Sequence, residues 1–122
     1  MADIISTGNP SRVLTARGIL GDDVVNGASE HVGDIKDLMI DIPTGRIEYA
    51  VLDFGGFFGI GSKYFAVPWK ALTVDEGNKR LVFNVSKEQL EKSPGFDKDH
   101  WPMSNDEPYY ASVDQFYGGV GY

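Results

Sequence analysis

The stretch Phe54–Trp69 reads FGGFFGIGSKYFAVPW. Gly56 and Gly61 are separated by four residues, and Ser62-Lys63 follow. A phosphate-binding P-loop has the same glycine spacing, but there lysine precedes the hydroxyl residue and a helix follows, its free N–H groups facing the phosphates. Here the order is swapped. Lys63-Tyr64-Phe65-Ala66-Val67 is rich in β-formers, and Pro68 closes the run. A strand therefore stands where a nucleotide site requires a helix. The glycines read instead as a hairpin device, because glycine reverses the chain at positive φ without a steric penalty. Phe57, Phe58 and Ile60 are large apolar residues inside this turn. They either plug the end of a small barrel or face a partner.

Working outward, Arg46–Phe54 places Ile47, Tyr49 and Val51 on one side and Ala50, Leu52 and Phe54 on the other. Apolar residues on both sides predict a strand covered on both faces. In His31–Ile42, Leu38, Ile40 and Ile42 alternate as one face of a half-buried strand. Ile35 is out of phase with them, and a bulge near Lys36-Asp37 brings it back. Pro43-Thr44-Gly45 is a short turn. Val13–Leu20 reads as a short strand or a lead-in, and Val24-Val25 as a brief strand ending in the Asn26-Gly27 turn. Ala71–Val74 and Arg80–Val85 are further strands around the Asp75–Asn78 turn. Ser86 opens a helix through a capping box with Gln89, and Pro94-Gly95 ends it. Short strands at intervals of about eight to twelve residues predict an all-β small barrel.

These segments carry a resemblance. Gly33-Asp34-Ile35-Lys36-Asp37-Leu38, Gly45, the glycine-rich turn, Ala66-Val67-Pro68-Trp69 and Ser86–Glu91 occur in an order that resembles the PRC-barrel family. That family is named for the cytoplasmic domain of the photosynthetic reaction-centre H subunit. The resemblance spans about Leu14 to Pro94. It implies a small β-barrel used for protein contacts: on the membrane complex in reaction centres, on a small-subunit protein in a ribosome-maturation factor, and as a cell-division adaptor in archaeal relatives. The expectation is a stand-alone member, without the membrane helix of the first or the extra N-terminal domain of the second. No proton-path acid is assigned by motif.

The expected organisation is an arm over residues 1–12, a barrel domain over 13–94 and an extension over 95–122. The 122 residues suit one such domain, and with 42% hydrophobic residues they suffice for a core. Asn105 or Asp106 caps a second short helix with Pro108 in its first turn; Tyr109, Val113, Phe116 and Tyr117 recur at helical spacing. Disordered tails are poor in aromatics, whereas this one also holds Trp101 and Tyr110. Either the helix docks on its own barrel or it serves as a swapped or partner-bound arm.

Charge and chemistry narrow the function. The net charge is −7, of which −4 falls in residues 94–122. Such a chain repels nucleic-acid phosphates and anionic lipid. No apolar run approaches a membrane span and no secretory signal is evident, so a cytoplasmic location is expected. With no cysteine, thiolate catalysis, disulfides and cysteine-ligated zinc are excluded. Glu30, His31, Asp34, Asp37 and Asp41 lie near one another in sequence but lack metal-ligand spacing and read as solvated acids of an outer strand face. His31 and His100 are isolated, and no serine sits in a nucleophile elbow. No catalytic residue, cofactor or metal ligand is assigned. The expected function is a non-enzymatic interaction module that docks on a larger complex or self-associates as a homodimer or higher oligomer. Phe57, Phe58, Ile60, Trp101, Tyr109, Tyr110, Phe116 and Tyr117 are its candidate contacts. Small-ligand binding, an accessory role in electron or proton transfer, and ribosome assembly are the alternatives.

Overall fold

The structure is a computed structural model that describes residues 13–54, 63–103 and 106–118. It is built on one seven-stranded sheet. The strands are β1 (Asp23–Val25), β2 (His31–Asp41), β3 (Arg46–Asp53), β4 (Lys63–Pro68), β5 (Leu72–Asp75), β6 (Arg80–Phe83) and β7 (Gly95–Asp97). Their order in the sheet is β5-β6-β1-β2-β3-β4-β7. Neighbours are antiparallel except β1 and β6, which run parallel. The two end strands do not hydrogen-bond to each other, so the sheet is not closed by its ladder. Among the described residues three α-helices accompany it: α1 (Ala16–Ile19), α2 (Lys87–Lys92) and α3 (Glu107–Tyr117).

The expected bulge is present. Ile35 pairs with Leu52 and Asp37 with Val51, leaving Lys36 as the extra residue. The slip returns Ile35 to the core, where it is almost fully buried. A second irregularity lies farther along: Met39 pairs with Tyr49 but Ile40 with Ile47, so Glu48 is extra on β3. The turn between these strands is held by Asp41, whose carboxylate accepts from the Thr44 hydroxyl at 2.6 Å. β3 is buried on both faces at its far end, where Ala50, Val51 and Leu52 are inaccessible to solvent. This is the pattern that its two-sided apolar composition predicts.

Four segments differ from the sequence reading. Of the two readings of Val13–Leu20, a strand or a lead-in, the strand is not formed: the segment contains the helix α1, where the Thr15 hydroxyl accepts from the Gly18 N–H and Ile19 points into the core. Ala71 belongs to a 3₁₀ turn, and β5 begins at Leu72. Ile40 and Ile42 are 52% and 83% exposed rather than half-buried, because the β2–β3 hairpin runs past the core that covers its inner half. Finally, β7 was not legible. Only Phe96 in it is a strong β-former, and the segment is extended because β4 pairs with it, Phe65 opposite Gly95 and Tyr64 opposite Phe96.

α2 is capped as expected: Gln89 N donates to Ser86 Oγ at 3.1 Å and Ser86 N to Gln89 Oε1 at 3.0 Å. α3 starts at Asp106, whose carboxylate accepts from the Tyr109 N–H at 3.1 Å. It lies on the sheet with Val113 and Tyr117 fully buried. Tyr117 packs on Phe83, ring centroids 5.5 Å apart. The core also stacks Phe54 on Phe65 at 4.5 Å.

Candidate functional site: an aromatic groove with an acidic rim

α3 packs on β4, reaches the β2–β3 hairpin through Tyr110 and Asp114, and leaves a groove of about 670 Å³ beside it. The floor is apolar and aromatic: Leu38, Met39 and Ile40 from β2, Tyr49 from β3, Tyr110 from α3, and Trp101 from the segment before α3. The rim is acidic. Asp37, Asp41, Glu48, Glu107 and Asp114 line it, and no lysine, arginine or histidine is among the described lining residues. Two bases neighbour it in the ladder: Arg46, paired in register with Asp41, and Lys36, which precedes Asp37 on β2.

Each floor residue is placed by its element. Tyr49 and Tyr110 stack at 5.2 Å, which joins α3 to β3. Tyr49 Oη donates to Asp114 Oδ1 at 2.9 Å, a second link between the same elements. Tyr110 Oη lies 3.8 Å from Met39 Sδ, a weak donor contact to β2. Trp101 is held from behind: its Nε1 donates to the Lys98 carbonyl at 2.8 Å, and its ring leans on Phe96 at 5.2 Å and Tyr64 at 5.6 Å. It remains 40% exposed on the groove side. A large aromatic fixed at one edge and open at the other retains little entropy to lose on binding.

The phenols stay neutral donors. Burial, reinforced by the Asp114 carboxylate that accepts its hydrogen bond, raises the Tyr49 hydroxyl well above its ordinary value. Burial pushes Tyr109 up to about 12 and also raises Tyr110. The charge of the groove near neutrality therefore comes from carboxylates alone.

The sequence-predicted contacts separate into three sets. Trp101 and Tyr110 line the groove. Tyr109 is half-buried behind it, its hydroxyl donating to the Pro94 carbonyl at 3.2 Å. Phe116 is half-buried against the core and Tyr117 is within it. Phe57, Phe58 and Ile60 lie outside the described residues. Reasoning from sequence missed Leu38, Met39, Ile40 and Tyr49 as groove residues. The signal available was the unbroken Leu38-Met39-Ile40 run in a strand whose neighbours alternate.

A second cluster lies elsewhere on the sheet. Asp23, His31 and Asp34 have ligand atoms within 4.8 Å of one another. Sequence spacing hides this. Val24 pairs with Gly33 but Val25 with His31, and the slip turns His31 toward the same side as Asp34. His31 Nδ1 contacts Asp23 Oδ1 directly. An imidazole with two carboxylates is a donor set that suits a divalent cation. The His31–Asp23 pair also satisfies itself without one, and both side chains are about half exposed.

Asp34 sits opposite Asp23 on one side and Asp53 on the other. Burial first, then repulsion from these two, raises its carboxyl above the ordinary range, with His31 opposing. A raised folded-state value means that ionisation costs stability above that value and costs nothing below the unfolded value near about 3.9. Asp34→Asn is therefore expected to stabilise by roughly 0.2–1 kcal/mol near neutrality. The gain should fade toward about pH 3.5. Urea midpoints at both ends of that window check it; an equal gain at both would rule out ionisation as the cause.

Residues 12–90 match the family model of the PRC-barrel domain. None of the curated proteins matches the chain.

Proposed function

The chain belongs to the PRC-barrel family, and from that premise we propose that it is a non-enzymatic protein-docking module whose contact surface is the groove between α3 and the β2–β3 hairpin. The observation that carries the reading is the exposed apolar floor. Ile40 and Trp101 are large, solvent-accessible and adjacent to half-buried Leu38, Met39, Tyr49 and Tyr110. Contiguous apolar surface rimmed by polar groups is characteristic of protein interaction sites. Among the described residues no helix is long and apolar enough to cross a membrane. In the proposed role the module is a cytoplasmic adaptor that joins a larger assembly or a second copy of itself.

Ile40→Arg tests the reading. Ile40 is more than half exposed, so the fold should lose no more than about 0.5 kcal/mol. A central apolar anchor replaced by a charge is expected to cost 2 kcal/mol or more of binding, roughly thirtyfold. Tagged full-length protein expressed in the cells of origin should capture a specific partner, and the Ile40→Arg form should lose it. Equal capture by both forms, or turnover of a metabolite by the purified protein, would overturn the proposal.

A further inference from the structure

We propose that the occupant of the groove is a lysine- or arginine-rich segment of another protein, carrying at least one apolar side chain that seats on Ile40 and Trp101. The inference rests on the docking reading above and adds the chemistry of the partner.

Charge complementarity carries it. Five carboxylates rim the groove with no base in its described lining. Bringing an uncharged or acidic surface against them would strip water from the acids without returning a counter-charge, which is costly. The acids are spread out rather than gathered. Among the described residues the three-group cluster close enough to share one ion is Asp23, His31 and Asp34, which is not in the groove. Charge distributed along a groove fits several cationic side chains on a chain, not a single metal ion. Three of the acids are already oriented. Asp114 accepts from Tyr49, Asp37 accepts from the Leu38 N–H at 2.8 Å, and Asp41 accepts from Thr44. Each carboxylate retains further lone pairs for an incoming donor. The tyrosine and tryptophan faces of the floor add cation–π partners. Lys98 over Tyr64, at 5.2 Å, is a contact of this type within the chain itself.

The residues outside the described ones do not supply this occupant. Residues 1–12 hold one acid and one base, and residues 55–62, 104–105 and 119–122 hold no charged side chain. A second copy is also a poor match. Its net charge is −7 and its longest run of bases is Lys79-Arg80. Nucleic acid and anionic membrane carry the wrong sign.

The test is a photo-cross-linking amino acid in place of Ala111, a groove residue on the exposed side of α3, in the full chain within the cells of origin. The cross-linked segment is then identified by mass spectrometry. It is made as a peptide and titrated against two triple variants of equal charge change. One neutralises the rim (Glu48→Gln, Glu107→Gln, Asp114→Asn), the other neutralises remote acids (Asp22→Asn, Glu88→Gln, Glu91→Gln). The expected segment is rich in lysine or arginine. Its affinity should fall about tenfold in the rim variant, since partly exposed ion pairs each contribute a fraction of that. It should fall less than about twofold in the remote variant, and the difference should shrink as salt screens the pairs. An adduct to an acidic or neutral segment, or to a second copy, would overturn the charge inference and leave the docking reading standing. Equal loss in both variants would show that only net charge is read, with the same consequence. Absence of any adduct would remove the docking reading and the inference together.

Discussion

Tyr117→Ala is expected to destabilise the protein by about 3–5 kcal/mol, the range for emptying a buried aromatic site. Tyr117 is fully buried at the last turn of α3, against Phe83 and beside Phe116. Removing its ring opens a void under the helix that Val113, one turn earlier, cannot fill. Tyr110→Ala on the same helix should cost under about 1.5 kcal/mol, because its ring is half-exposed and rests on Tyr49 over the groove. Urea midpoints of the two variants check the contrast. The same titration, repeated over a wide range of protein concentration, reports whether α3 sits on its own sheet. A helix docked within its own chain gives a midpoint independent of concentration, whereas an exchanged helix gives one that rises with it. A loss below about 1 kcal/mol for Tyr117→Ala would place α3 off the sheet in solution.

The second large effect is at Gly33. Its φ is +152°, a conformation that side-chain-bearing residues rarely adopt. A Cβ there would stand 2.8 Å from a Phe54 ring carbon and 3.1 Å from the Asp53 carbonyl oxygen. The ring cannot yield, because Phe54 is buried and stacked on Phe65. Backbone strain and overpacking together predict a loss of about 2–5 kcal/mol for Gly33→Val. Gly45 and Gly77 provide the scale. Both have open space at the Cβ position, but Gly45 has φ +75° and Gly77 has no positive φ. Gly45→Ala should cost about 1–2 kcal/mol and Gly77→Ala close to nothing. If Gly33→Val cost no more than Gly45→Ala, the close packing of Phe54 over β2 would be wrong.

Gly33 also explains part of the family resemblance. The Gly-Asp-Ile run reads as a signature in sequence, and the structure gives its cause. Glycine lets β2 pass under Phe54, Ile35 enters the core, and the slip beside Gly33 carries His31 round to Asp34. The groove was legible only in part. Trp101 and Tyr110 stand out as aromatics in an acidic tail, and both line it. Tyr117 stands out for the same reason and is buried instead. Helical spacing names the face that Tyr109, Val113, Phe116 and Tyr117 share, but not how deep each one lies. Ile40 and Ile42 mislead in the opposite direction, because alternation identifies a face and says nothing about whether anything covers it.

The sequence alone determined what depends on neighbours along the chain. The bulge near Lys36-Asp37 follows from one apolar residue out of phase, the α2 capping box from Ser86 and Gln89, and a start of α3 at Asn105 or Asp106 from those two cap residues and Pro108, the structure selecting Lys36 and Asp106. Each is settled within a few residues by alternation, by capping hydrogen bonds or by the fixed φ of proline. The tertiary structure decided what depends on residues far apart. β7 exists because β4 pairs with it, and the groove exists because α3, some 70 residues after β2, covers only part of the β2–β3 hairpin. Strand pairing and burial are set by what the fold brings alongside, and a local pattern does not contain that information.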